Sequence, residues 1–98
     1  MHSLSDGCRV YLVDRDLPGA TLEQLAHTQL VAIRSSQRFT LAGEPVRYIR
    51  SLFVPGEECC LCLFESTERA LVQQVNDDAG LPYTRIIPAL DLTPTQHD

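Results

Sequence analysis

The chain has 98 residues, 44% of them hydrophobic and 21% charged, a composition typical of one small globular domain and unlike that of disordered or multidomain proteins. Eight basic residues, all Arg, stand against 13 acidic residues, and the resulting net charge of -5 argues against nucleic acid or an anionic membrane surface as a partner. No apolar stretch is long enough to cross a bilayer and the first residues lack the pattern of a signal peptide, so we expect a cytoplasmic protein.

The first half of the chain predicts a strand and then a long helix. Residues Arg9–Asp16 are rich in β-branched and aromatic side chains and stop at a Leu-Pro-Gly turn, which is typical of a strand. Thr21 and Gln24 have the spacing of a capping box, in which each side chain accepts a hydrogen bond from the backbone of the other residue. Gly43, followed by Glu-Pro, is a helix stop, so the predicted helix has about twenty residues. Its apolar stripe consists of Leu22, Leu25, Ala26, Ala32, Ile33 and Phe39.

The second half of the chain predicts a hairpin and a shorter helix. Val46–Val54 and Cys59–Glu65 are two apolar segments separated by a Pro-Gly turn, the pattern of a β-hairpin. Ser66 or Thr67 is expected to cap the second helix, with Glu68 in its first turn. The apolar stripe of this helix consists of Leu71, Val72, Val75 and Ala79.

The last segment and the order of the elements together indicate the fold. Arg85–Leu92 has the pattern of a final strand, and Pro88 within it offers no N–H to a sheet, so this strand is expected at an edge. The order βαββαβ is that of a ferredoxin-like α+β fold, a four-stranded antiparallel sheet with two helices on one face and the first and third strands at its centre. We place the domain at residues 9–93 and expect flexible polar ends at residues 1–8 and 94–98.

The second face of such a sheet needs a cover. Two helices cover only one face, yet the first and third strands, around Val10–Val13 and Cys60–Phe64, are apolar on both sides. A second copy of the chain, packed sheet on sheet, would bury this surface at roughly 25 cal/mol per Å². We therefore expect a homodimer.

Four short motifs carry a resemblance to a known family. They are YLVDRDLPG at residues 11–19, EQL at 23–25, CLFE at 62–65 and AGLP at 79–82, in this order and spacing. Over residues 9–92 the chain resembles a small bacterial family of unknown function whose members are often described as nickel-binding proteins. The resemblance implies a ferredoxin-like fold and a homodimer of the dimeric α/β-barrel type, and it implies no established reaction.

The same resemblance bears on metal binding. Nickel-binding members are expected to use histidines near the end of the first strand, on the second helix and in the turn after it. In this chain those regions hold Asp14 and Arg15, Val75 and Leu81, so we expect no metal site and no cofactor. The three histidines present do not replace the missing ones, because His27 stands alone and the other two lie near the chain ends.

Cys59, Cys60 and Cys62 are the densest group of potential metal ligands or redox residues. Alternation along a strand places Cys60 and Cys62 on one face, about 7 Å apart along the backbone, and turns Cys59 to the other face. The run lacks CxxC spacing and free Cys is often a small buried hydrophobic residue, so the expected role is core packing. Cys62, which lies in the CLFE motif, is the expected exception.

Charged residues on or beside the predicted strands are the other candidates for a ligand pocket. Arg50, Glu65, Asp14 and Arg15 lie on elements that are otherwise apolar, and together with Cys62 they form the predicted pocket. If Arg50 met Glu65 across the second and third strands, the two could bind a small acid or polarise a carbonyl group. An exposed ion pair between edge strands is the alternative.

These features fit three functions. The first is a small homodimeric module that binds a small-molecule ligand between the sheet and its covering elements. The second is a cofactor-independent oxygenase or isomerase of the dimeric α/β-barrel kind, with Glu65 or Asp14 as the base and Arg50 stabilising an anion. The third is a purely structural or regulatory dimer. Fold alone does not separate them, because function depends on the site.

Overall fold

The computed structural model describes residues 9–92. The predicted flexible ends at residues 1–8 and 94–98 lie outside the described residues, as do Cys8, two of the three histidines and the last residue of the predicted domain. Within the part of the chain that the structure describes, no helix is both long enough and apolar enough to span a membrane.

Over residues 9–92, four strands and two helices follow one another in the predicted order βαββαβ. They are β1 (Arg9–Asp16), α1 (Leu22–Leu41), β2 (Val46–Val54), β3 (Cys59–Ser66), α2 (Arg69–Asp78) and β4 (Arg85–Ala89). The predicted ferredoxin-like α+β fold is therefore confirmed, and the first three strands end within one residue of their predicted bounds.

The sheet has the order β2-β3-β1-β4, and every neighbouring pair is antiparallel. This order places β1 and β3 at the centre and leaves Pro88 on the edge strand β4, as predicted. Strand β4 ends at Ala89 rather than at Leu92. Beyond it, Asp91 forms an ion pair with Arg50 of β2, on the opposite edge of the sheet, so the chain turns across the sheet face instead of extending the strand.

Helix α1 begins with the predicted capping box. The Thr21 hydroxyl accepts a hydrogen bond from the Gln24 backbone N–H at 3.1 Å, and the Gln24 side-chain oxygen accepts one from the Thr21 N–H at 2.8 Å. Two of the backbone donors at the helix start are thereby satisfied.

The buried face of α1 differs from the predicted stripe. Leu22 is 85% exposed and Ala26 is also exposed. The helix instead meets α2 through small residues, because Ala32 and Ser35 are buried and the Ser35 hydroxyl donates to the carbonyl of Val75 at 2.9 Å. A stripe defined by apolar residues alone does not reveal a contact that depends on a buried Ser.

Helix α2 begins later than predicted. Neither Ser66 nor Thr67 caps it, since Ser66 is the last residue of β3 and its hydroxyl donates to the carbonyl of Pro45 at 2.9 Å. Glu68 is the N-cap residue, with extended backbone and no capping hydrogen bond from its side chain, and the helix starts at Arg69. The buried residues of α2 are Leu71, Val72, Val75 and Asn76.

The core lies between the helices and one face of the sheet. Alternate residues of the central strands project into it, among them Val13 of β1 and Cys60, Cys62 and Phe64 of β3. The ring of Phe64 packs edge-on against Tyr48 of β2, with ring centroids 5.6 Å apart. The intervening residues of each strand project to the opposite side, called here the open face because neither helix covers it.

Candidate functional site

The five predicted pocket residues lie on opposite faces of the sheet. Arg50, Glu65 and Asp14 project to the open face, where each forms an ion pair. Arg15 and Cys62 project to the helix-covered face, and both are buried. The sheet itself separates the two groups, so the five residues do not form a single pocket.

The open face has an apolar centre. Cross-strand pairing sets Leu63, Leu12 and Ile87 in one row through the middle of the sheet. In the next row, Leu52 pairs with Leu61 and remains 65% exposed. A contiguous apolar area with charged residues around it is typical of an interaction surface.

Three ion pairs flank this apolar centre. They are Arg47 with Glu65 at 3.1 Å, Arg85 with Asp14 at 3.2 Å, and Arg50 with Asp91. The contact considered between Arg50 and Glu65 does not form, because the strand register sets Arg47 opposite Glu65 and Arg50 opposite Leu63. The Arg side chain of every pair is more than half exposed, so each pair contributes only about 0 to 1 kcal/mol to stability.

Arg15 and two cysteines form a compact polar site inside the core. Arg15 pairs in register with Cys60, and it is fully buried. Its Nη1 donates to the carbonyl of Pro82 at 3.2 Å, whereas its Nε and Nη2 have no hydrogen-bond partner among residues 9–92. The Sγ atoms of Cys60 and Cys62 lie 3.7 Å apart. A buried cation with unsatisfied donors is unfavourable by itself, so this site favours a negatively charged neighbour.

A chain of hydrogen bonds runs from Cys62 to helix α1. The Ser51 hydroxyl donates to Cys62 Sγ at 2.9 Å, and the Tyr48 hydroxyl lies 2.7 Å from Ser51 Oγ. The Gln29 side-chain amide donates to the Tyr48 hydroxyl at 2.8 Å. Sequence reasoning missed this chain, because a bulge between Tyr48 and Arg50 interrupts the alternation of β2. In a regular strand, Tyr48 and Ser51 would face opposite sides.

The two buried thiols differ in acidity. The hydrogen bond shared with Cys60 lowers the pKa of Cys62. The charge of Arg15 and the hydrogen bond from Ser51 lower this pKa further, against the opposing effect of burial. The same shared hydrogen bond, together with burial, raises the pKa of Cys60. Of the two thiols, Cys62 is therefore the one that loses its proton more readily, and the guanidinium beside it favours the resulting negative charge.

The regions expected to supply nickel ligands have other roles. Val75 is buried in the core and Leu81 packs against it. Asp14 is paired with Arg85 on the open face, and Arg15 lies on the other side of the sheet. Over residues 9–92, no three His, Cys, Asp or Glu side chains come together in an arrangement that could hold a metal ion. The reactive groups that the structure does bring together are the two thiols and the buried guanidinium beside them.

Comparison with known proteins covers most of the chain. The model of a family described as "Nickel responsive protein SCO4226-like" matches residues 11–88. The chain also resembles a solved structure, "Crystal structure analysis of SCO4226 from Streptomyces coelicolor A3(2)", with 20% sequence identity. The superposition covers 87% of this chain and 99% of that protein, with a TM-score of 0.71. No curated protein matches the chain. At this level of identity the structural likeness shows a common fold.

Proposed function

The chain belongs to the SCO4226-like family of nickel responsive proteins, and we propose that it is a homodimeric binding module without a tight nickel site. Its small ligand is held between the sheet and the helices, against Arg15. The observation that carries this proposal is the fully buried guanidinium, two of whose nitrogens have no hydrogen-bond partner in the described part of the chain. A ligand that brings negative charge or acceptor atoms to these donors, or a metal ion that holds the two neighbouring thiols as thiolates, would relieve the cost of burying them.

The catalytic alternative has less support from the geometry. Glu65 and Asp14, the candidate bases, are each paired with a different Arg, and Arg50 is bound to Asp91. These groups lie on the open face, so none of them shares a space with the thiols and the buried guanidinium. A binding role requires only the buried guanidinium and the two thiols, which already lie together in the core.

Ligand binding is tested by native mass spectrometry and calorimetry with three probes: acetate, phosphate and cuprous ion. We expect at least one probe to bind the wild-type protein. The same probe should bind Arg15→Met with an affinity lower by more than about tenfold, because the two buried donors are lost. Arg34→Met is the matched control, since Arg34 is exposed on α1. Absence of binding by all three probes, or equal affinity in Arg15→Met, would contradict the proposal.

The dimer is expected to form through the open face. This surface combines an apolar centre with charged pairs around it, the usual anatomy of a protein interface. Static light scattering at micromolar concentration should therefore report about twice the chain mass of 10.9 kDa. A stable monomer under these conditions would show that the open face is not paired with a second copy.

Nickel is expected to bind weakly or not at all. Imidazole suits nickel, but the expected ligand regions present Val75, Leu81 and a carboxylate already paired with Arg85. Isothermal titration of the tag-free protein with nickel chloride measures this directly. Stoichiometric binding at sub-micromolar affinity would contradict the proposal and would require ligands outside these regions.

A further inference from the structure

We propose that Cys60 and Cys62 bind one cuprous ion as a two-thiolate site, and that Arg15 neutralises the charge of the resulting complex. This inference rests on the proposed binding function and names the ligand class of the same buried site.

The first support is the position of the two thiols. Cys60 and Cys62 project to the same side of β3, both are buried, and their Sγ atoms are 3.7 Å apart. If metal–sulfur bonds have about the 2.3 Å length of zinc–thiolate bonds, an ion directly between the sulfurs would hold them about 4.6 Å apart. The pair needs to open by less than about 1 Å to admit a linearly bound ion, and a bent arrangement needs less.

The second support is charge. Two thiolates and one monovalent cation give a complex with a net charge of minus one, which is unfavourable in a core unless a cation lies beside it. Arg15 is fully buried at this position, and two of its nitrogens have no acceptor among the residues that the structure describes. A divalent ion on the same two thiolates would be neutral, and the guanidinium would then remain an unbalanced buried charge.

The binding step balances in protons and charge. The Sγ atoms of Cys60 and Cys62 share a hydrogen bond in the free protein, so the pair holds at least one proton. Binding of one cuprous ion forms two metal–sulfur bonds and releases the protons of the pair to solvent. Copper remains monovalent throughout, so the step requires no oxidant or reductant.

Other occupants fit less well. Zinc in structural sites takes four ligands, and over residues 9–92 no third His, Cys, Asp or Glu joins the two thiols. Thiolates are soft ligands that favour Cu(I), whereas nickel is better bound by imidazole. A disulfide would span alternate residues of one strand, whose Cα atoms are about 6.6 Å apart, near the upper end of the range that disulfides tolerate.

The site lies close to one end of the sheet, next to an open groove. Cys60 is the second residue of β3, and Leu17, in the turn after β1, packs against the core that contains the thiols. Leu17 also lines an open groove of about 690 Å³ beside α1. Leu17 therefore borders both the groove and the core.

Anaerobic titration with cuprous ion, in competition with a chromophoric cuprous chelator, tests the site. We expect wild type and Cys59→Ser to bind one ion with equal affinity, because Cys59 projects to the opposite face of β3. Cys60→Ser and Cys62→Ser should bind more than about 100-fold more weakly, since each lacks a ligand. Arg15→Met keeps both ligands and should lose about 10- to 100-fold, as expected for a residue that acts on the ligands.

Several results would overturn the inference. Unchanged copper affinity in Cys60→Ser and Cys62→Ser would place copper elsewhere, and so would an equal loss of affinity in Cys59→Ser. If circular dichroism shows that Cys60→Ser does not fold, Cys60→Ala repeats the test. A reduced protein that binds no copper, and whose mass after air exposure reveals a disulfide between Cys60 and Cys62, would identify a redox pair instead. If copper fails while acetate or phosphate binds in an Arg15-dependent manner, this inference is wrong and the proposed binding function stands.

Discussion

Replacement of Leu63 by Arg is expected to convert the proposed dimer into a monomer. Leu63 lies in the central row of the open face, between Leu12 of β1 and Arg50 of β2. In an interface through this face the new guanidinium would be buried in an apolar row beside Arg50, and the Glu65 and Asp91 carboxylates of this face are already paired with other Arg side chains, so the arrangement costs several kcal/mol. Each 1.4 kcal/mol changes an equilibrium constant tenfold, so the dimer Kd should rise by more than about 100-fold.

Light scattering and far-ultraviolet circular dichroism distinguish dissociation from unfolding. The Leu63→Arg protein should approach a mass of 10.9 kDa with its secondary structure retained, because Leu63 does not belong to the buried core. Leu22→Arg is the matched control, since Leu22 is already 85% exposed at the start of α1. A Leu63→Arg dimer as tight as wild type would exclude packing through the open face, and dissociation of Leu22→Arg would point to the helices.

Much of the fold could be predicted because the signals that define it are local. The alternation in β1 and β3 and the Thr21 capping box depend only on residues close in sequence, and the structure has both. The edge position of β4 also follows from one local property, the missing N–H of Pro88. The length of β4 does not, because the strand ends where the chain turns across the sheet toward β2.

The candidate site was harder to predict because it depends on a bulge in β2 and on the burial of Arg15 without a carboxylate beside it in the described residues. The bulge near Ile49 turns Ser51 toward Cys62, and no residue in that segment signals a bulge. The alternation that places Val13 in the core also places Arg15 there, so its burial follows from the pattern. That Arg15 has no carboxylate partner within residues 9–92 is a tertiary property that only the structure reveals.

Replacement of Arg15 by Met is expected to move the titration of Cys62 to higher pH. After the hydrogen bond from Cys60, the charge of Arg15 is a main cause of the lowered pKa of Cys62, and burial opposes both. Without the guanidinium, this pKa should rise by about one unit or more, the usual effect of removing an opposite charge in contact. The ultraviolet absorbance of the thiolate, measured as the difference between each protein and its Cys62→Ser version, reports the titration.

The same substitution should change how stability depends on pH. A thiol whose pKa is lowered by folding stabilises the folded state above its unfolded pKa of about 8.5, and this contribution is lost as the pH falls toward the lowered value. The free energy of unfolding of wild type, relative to Cys62→Ser, should therefore decrease as the pH is lowered from about 8.5, and should decrease less when both proteins carry Arg15→Met. Arg34→Met should follow wild type, because Arg34 is exposed on α1. Identical titrations of wild type and Arg15→Met would show that the buried guanidinium does not stabilise the thiolate, and the charge argument for Arg15 at the ligand site would fail.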